Sequence, residues 1–260
     1  MTQKSTTLSY MLDTIDHGDV RELRINRPPA NALSPELLAS LGKAVATAPA
    51  SGARAMAISG APGMFSAGLD VPLLLTLDRQ ALAQAWQDLY GLLRSIACSE
   101  IPVAAAITGH APAGGTVIAL FCDYRVAAEG DWKLGVNEVR VGLPLPPVIL
   151  SALQREVGAR EAEFLAVGGP LISPAEALRC GLVHEVAPLD QVVGRAKDWC
   201  RDLLSVPAVA MVPTRRNARA DLHQLFRRDL DREIEQMFAA WSSEENQAAL
   251  RAMVARLKKK

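Results

Sequence analysis

Apolar and polar residues alternate through "VRELRIN" (20–26), the period of a half-buried strand, and the run ends at Pro28-Pro29, where a turn follows. Ser34-Pro35-Glu36 then predicts a helix start, with serine as cap, proline at the first helical position and an acid in the first turn; that helix runs to about Thr47. "ARAMAIS" (53–59) reads as a second strand, and it closes into the loop "GAPGMFSAG". Leu82, Trp86, Leu89, Leu93 and Ile96 recur at helical spacing and predict a helix over roughly 79–97. "IPVAAAIT" (101–108) is a buried strand that runs into "GHAPAGGT" (109–116), after which "TVIALF" continues as a helix. "YRVAA" (124–128) reads as a strand and "DWKLGVNEV" as a further extended segment. Strand and helix alternate, which predicts an α/β architecture with crossover connections.

The pattern changes near residue 173. Ser173-Pro174-Ala175-Glu176 is a capping box, and Asp190 is placed to cap the next helix. Leu222, Leu225, Phe226, Leu230, Ile234, Met237, Phe238 and Trp241 form one continuous apolar stripe. Ser242-Ser243-Glu244-Glu245 reads as a second capping box, opening a last helix with Ala249, Leu250, Met253 and Leu257 inward. The last third is therefore helical, with more apolar surface than a peripheral helix needs, so it docks on the core or on a neighbouring subunit.

Composition narrows the classes. Half of the 260 residues are apolar and 22% are charged, enough for a proper core. Lys+Arg and Asp+Glu balance at 28 each, so no basic field recruits nucleic acid; Lys258-Lys259-Lys260 reads as a solvated tail. Cys98, Cys122, Cys180 and Cys200 are widely spaced without paired histidines, which argues against zinc or a disulfide framework and for buried thiols in a reducing compartment. "MTQKSTTLSYMLD" has no hydrophobic segment of a secretory signal, and no apolar run approaches the roughly 20 residues of a membrane span. A cytoplasmic protein is expected.

The chemistry gathers around glycines. "GHAPAGGT" is one residue from the phosphate-binding pattern G-x-x-x-x-G-K-[ST], with Gly115 where the lysine belongs and only Thr116 retained. A tightly packed strand-to-helix turn would need the same small residues. A third reading is an oxyanion hole, in which a free backbone N–H near Gly114 faces a polarised oxygen and a second donor comes from elsewhere. The loop "MFSAGLD" (64–70) offers Leu69 N–H for that role.

F-S-A-G-L-D followed about forty residues later by G-H-A-P-A-G-G-T and then "CDYRVAA" resembles the crotonase (enoyl-CoA hydratase/isomerase) superfamily, and the likeness runs from "INRPPANALS" through "SPAEALRCGLVHEVAP" to the C-terminal helices. The resemblance implies a spiral of repeated ββα turns over residues 1–195 carrying an acyl-CoA site, and a helical trimerisation region over 196–260. It implies an acyl-CoA thioester as substrate, a homotrimer or dimer of trimers, and no separate cofactor, since coenzyme A enters with the substrate. It makes Leu69 and Gly114 the oxyanion donors, and places Ala67, Gly68, Leu69, Asp70, Val71, Gly114 and Asn137 against substrate and coenzyme A.

Glu138, set among valines, leucines and prolines, reads on its own as a solvent-facing partner of Arg140; the resemblance makes it the catalytic acid/base. Hydratases of the family carry a second glutamate three residues past the oxyanion glycine, and here that position is Val117. "P-A-G-G" and "L-G-V-N-E" are closer to the mitochondrial-type Δ3,Δ2-enoyl-CoA isomerases, so isomerisation is expected. The alternatives are a hydratase or related acyl-CoA reaction, and a non-catalytic acyl-CoA binder. His110 is expected to line the fold, His17, His184 and His223 to be structural or exposed, Asp123 and Arg125 to form a buried ion pair, and "GLPLPP" to shape the acyl pocket.

Overall fold

The structure is a computed structural model and describes residues 11–257, so most of the N-terminal segment and Lys258–Lys260 lie outside the described residues, as does the inward side of Leu257. β1 (Leu12–His17) and β2 (Val20–Ile25) form an antiparallel hairpin. Helix α1 (Pro35–Thr47), capped by the Ser34 side chain on Leu37 N–H, leads to β3 (Ala55–Ser59), which joins β2 in parallel. β4 (Gly63–Met64) leaves for a second sheet, and α2 (Val71–Leu74) and α3 (Arg79–Ala97) complete the turn. β5 (Val103–Ile107), β6 (Gly109–Pro112) and α4 (Gly114–Leu120) repeat the sequence of elements. β7 (Tyr124–Ala128) and β8 (Leu134–Gly135) repeat it again, followed by a 3-10 turn over Glu138–Val141 and helices α5 (Pro147–Val157) and α6 (Ala159–Gly168). α7 (Pro174–Arg179) precedes β9 (Glu185–Ala187). The remainder is helical: α8 (Val192–Ser205), α9 (Ala208–Ala218), α10 (Ala220–Leu225), α11 (Leu230–Ser242) and α12 (Glu244–Leu257).

The large sheet runs β1-β2-β3-β5-β7-β9 and the small one β4-β6-β8, both parallel beyond the first hairpin. Each turn gives one strand to the large sheet, one to the small sheet, then a helix. This is the expected spiral of ββα turns.

Every residue of β3 and β5 is buried, as continuous apolar strands require when both faces are covered. The two faces are covered differently. Ala55, Ala57, Ala104, Ala106 and Val126 meet Val192, Ala196 and Cys200 of α8, and small residues let that helix lie close. Met56, Ile58, Val103 and Ile107 face the main core built with α1 and α3. Residue 195, the boundary drawn from sequence, therefore falls inside a helix that closes the core.

Several local expectations are corrected. "DWKLGVNEV" is extended only at β8, and its end curls into the 3-10 turn. The long apolar stripe is split between α10 and α11, because Asp229 starts a new helix. Ser243, not Ser242, accepts from Asn246 N–H at 3.3 Å, so the second capping box is absent. Gln191, without a side-chain bond, occupies the cap assigned to Asp190. Asp123 and Arg125 do not pair. Asp123 holds Arg215 (2.8 Å) and Arg219 (3.1 Å), whereas Arg125 reaches Glu156 on α5 and donates to the carbonyls of Leu182 and Cys122. Arg125 is long enough to leave its strand neighbour, and a buried guanidinium needs several acceptors at once.

Candidate active site

Where β4 and β6 run out, two loops press together. A Cβ on Gly115 would stand 2.4 Å from Ser66 O, and one on Gly114 would stand 3.1 Å from Gly68 Cα and 3.5 Å from Leu69 N. Only glycine at both positions lets the main chains approach so closely. The lysine position of the phosphate-loop pattern is thus filled by a packing contact. Thr116 is equally committed: its hydroxyl donates to Ala111 O and accepts from Gly135 N–H at 2.9 Å, tying β6, α4 and β8 together.

The turn into α4 is strained. Ala113 holds φ +48° and ψ −123°, a conformation costing on the order of 1–3 kcal/mol for a residue with a side chain. Its N–H donates to Gly135 O at 2.8 Å and its carbonyl accepts from Val117 N–H at 3.0 Å, which fixes it. The other loop is held by Asn31, a residue the sequence reading quoted within "ANALS" but gave no role. Asn31 is also left-handed (φ +50°), and its side chain donates to Met64 O and Phe65 O and accepts from Arg27 N–H. Among the described residues, neither Leu69 N–H nor Gly114 N–H donates to any group of the chain. Two fixed donors therefore remain unspent on adjoining backbones.

They border a cavity of about 410 Å³, within the range of small-molecule sites. Ala67, Leu69, Asp70, Val71, Gly114, Asn137 and Glu138 all line it, as do Val117 and, from "GLPLPP", Leu143 and Pro146. Gly68 stands behind the wall, against Gly114. More of the lining comes from elements that the sequence did not connect to the site: Trp86 and Leu89 of α3, Ile149 of α5, Met237 of α11 and Met253 of α12.

Two carboxylates reach this lining, in unlike states. Asp70 is engaged, pairing with Arg27 at 2.6 Å and capping α2 through Leu73 N–H at 3.1 Å. Glu138 is not. Its Oε2 is sealed from water without a partner among the described residues, and burial pushes the carboxyl up to about 7, its own backbone N–H opposing. Arg140 is exposed and forms no ion pair with it. Asn137 beside it also carries an unpartnered Oδ1.

The other candidates are settled by their contacts. His110 accepts from Lys133 N–H at 3.1 Å and meets Trp132 edge-on, outside the cavity. His17 pairs with Glu22, and His184 accepts from Arg125 N–H. Cys122 and Cys200 are buried thiols. Among the described residues, no group of three or more His, Cys, Asp or Glu is placed to hold a metal ion, and no helix is long and apolar enough to cross a membrane.

The profile of the family described as "Enoyl-CoA hydratase/isomerase" matches residues 16–260. The chain belongs to that family. The mouse mitochondrial enoyl-CoA delta isomerase 1 is 31% identical over 255 residues, spanning 96% of this chain and 88% of the relative. A protein of Mycobacterium avium (strain 104), described as "Probable enoyl-CoA hydratase echA17", is 33% identical over 193 residues, spanning 73% of this chain and 74% of the relative. The crystal structure of human mitochondrial delta3-delta2-enoyl-CoA isomerase superposes with a TM-score of 0.90 at 29% identity, covering 96% of this chain and 98% of that one. Family membership brings both isomerases and hydratases into view. Between those reactions, the cavity's own side chains must decide.

Proposed function

We propose that the protein is a Δ3,Δ2-enoyl-CoA isomerase, moving the double bond of a 3-enoyl-CoA to the 2-position. The observation that carries the reading is the carboxylate with an untied oxygen on the cavity wall, Glu138, in a lining that also holds apolar Val117. Ionised Glu138 takes a proton from C2 of the substrate. The electron pair of that C–H bond moves onto the thioester oxygen, where Leu69 N–H and Gly114 N–H stabilise the charge; losing one such donor typically costs about 2.7–4 kcal/mol. The same carboxyl then returns the proton at C4, leaving the C2=C3 bond, and no water enters the balance. A carboxyl that titrates near 7 suits both halves of this exchange. Asn137 lies against the substrate, and coenzyme A arrives as part of it.

Hydration needs a second polar group to hold and activate water, and Val117 supplies none. Turnover of trans-3- and cis-3-hexenoyl-CoA should therefore exceed that of crotonyl-CoA, and Glu138→Gln should lower turnover of the 3-enoyl-CoAs by about 10²–10⁴. Efficient hydration of crotonyl-CoA with 3-enoyl-CoA left untouched would overturn the isomerase reading in favour of a hydratase. Binding without turnover of either would favour the acyl-CoA binder.

The reading extends to assembly as a homotrimer or dimer of trimers. α9 has no buried residue, Val209 on it is 87% exposed, and Phe164 and Val167 on α6 are 63% and 75% exposed. Apolar faces of this kind suit a neighbouring copy. A monomeric mass in solution would remove this part.

A further inference from the structure

From Phe65 to Val71 the chain runs beside the cavity as a loop, and its amide groups are almost all committed. Phe65 N–H and Ser66 N–H donate to His110 O, Ala67 N–H to Ala30 O, Asp70 N–H to Leu33 O and Val71 N–H to Leu69 O, at 2.8 to 3.3 Å. Two consecutive donors are left, Gly68 N–H and Leu69 N–H. The Ser66 hydroxyl takes the first, accepting from Gly68 N–H at 3.2 Å. Leu69 N–H alone is left over, and Leu69 lines the cavity. Which of the two neighbouring amides stays free is thus decided by a side chain that is 0% exposed and no part of the cavity lining.

The peptide group joining Gly68 to Leu69 is also tied at its other end. Gly68 O accepts from Leu33 N–H at 2.8 Å. A trans peptide is planar, with its C=O and N–H antiparallel, so a tied carbonyl fixes the direction of the N–H and polarises it as well. Gly68 holds φ +84° and has a glycine's backbone freedom, so its flanking peptides keep their orientation only through such ties. The Ser66 hydroxyl supplies a further one, donating to Asn31 O at 2.8 Å, two residues before Leu33. One hydroxyl, donor and acceptor at once, therefore joins the Leu69 loop to the segment that tethers it. Alanine there would take a partner from Gly68 N–H and another from Asn31 O, in a place sealed from water.

We propose that Ser66 is a positioning residue for the reaction: its hydroxyl keeps Gly68 N–H occupied and the Gly68–Leu69 peptide turned so that Leu69 N–H meets the thioester oxygen as charge develops there. The inference rests on the acyl-CoA reading above and adds what holds one of its two donors in place. A donor fixed beforehand loses nothing to reorganisation when the charge appears.

The test is infrared spectroscopy of a saturated acyl-CoA, isotope-labelled at the thioester carbonyl and bound to wild type or to Ser66→Ala, beside kinetics on 3-enoyl-CoA. A hydrogen bond to a carbonyl lowers its stretching frequency, and a saturated thioester is not turned over, so the spectrum does not depend on isomerisation. Binding to wild type should move the band downward, and binding to Ser66→Ala should move it less. In that variant kcat should fall about tenfold, a part of the 10²–10³ that loss of a whole donor costs. KM should change less than about twofold, because the interaction is worth most in the transition state. Ser66→Cys fills the same place with a weaker donor and acceptor and should fall between the two on both measures; should Ser66→Ala not fold, Ser66→Cys against wild type gives the same comparison. A serine that only stabilises the loop would lower the urea midpoint and leave the band and the kcat per folded molecule unchanged. That result would overturn the proposal and leave the isomerase reading standing. No movement of the band in wild type would overturn the oxyanion reading and the proposal with it.

Discussion

Glu22 and Glu138 both hide carboxylate oxygens from water, and the protein treats them in opposite ways. Glu22 on β2 is 0% exposed, yet it takes hydrogen bonds from Ser59 (2.7 Å), His17 (2.9 Å) and Arg24 (3.0 Å). Burial alone would raise its pKa, but those three partners outweigh it and hold the carboxyl below its ordinary value. Glu138 has burial and, among the described residues, only its own backbone N–H to oppose it, and it rises to about 7. Burial by itself therefore says little about a carboxylate. Partners decide whether it is a fixed charge in the fold or a group free to exchange a proton.

The sharpest way to break this contrast is to remove each acid in turn. Glu138→Gln should lower kcat for 3-enoyl-CoA by about 10²–10⁴, the usual contribution of a positioned acid/base, with the fold intact by circular dichroism. Glu22→Gln should leave turnover per folded molecule unchanged. Equal losses of turnover in both variants would mean that the unpartnered state of Glu138 has no catalytic meaning.

Next in size is stability. Glu22→Gln keeps the shape but weakens three hydrogen bonds and leaves His17 and Arg24 facing a neutral amide; urea titration should show a loss of about 1–3 kcal/mol. The pH dependences of the two sites should have opposite signs. Glu22, with a depressed folded pKa, contributes stability above about 4.5, which is lost as pH falls through its folded value. Glu138, with a raised one, is most favourable below 4.5, and its contribution is lost as pH climbs through about 7. Because the residue is only partly buried overall, Glu138→Gln should gain on the order of 1–2 kcal/mol over wild type between pH 5 and pH 8. Catalysis should follow the other limb of that titration, with kcat/KM falling as pH drops below about 7. His17→Ala, which removes one part-exposed partner of Glu22, should cost under about 1 kcal/mol.

The same contrast explains what the chain discloses when read as a string. The strands over 20–25, 55–59 and 124–128 and the helices over 35–47 and 79–97 follow from local period, whereas glycine placement left the loops around Leu69 and Gly114 open to several readings and only the family resemblance paired them. "VRELRIN" shows Glu22 as one more polar position in an alternating strand, because Ser59 lies on another strand and cannot be seen from there. Asn31 is hidden for a like reason: its partners, Met64 O and Phe65 O, are main-chain atoms with no sequence signature. Trp86, Leu89, Ile149 and Met237 obey ordinary helical periodicity, and an amphipathic stripe looks identical whether it meets a core or a cavity. Asp123 and Arg125 misled because nearness in the chain was taken for nearness of charges, and three-dimensional partners were available to both.

The close approach of Gly115 to Ser66 O has one more consequence, for anyone wishing to alter this site. The two proposed oxygen-binding atoms are amide nitrogens, so no exchange of side chain short of proline removes them, and the close approach at Gly115 resists any bulkier residue there. Point substitutions meant to reshape the cavity are thereby directed to side-chain positions such as Val117, Trp86 and Met237, all buried, where an exchange has to keep the packing. A library confined to those positions leaves the two proposed donors in place while the lining around them changes.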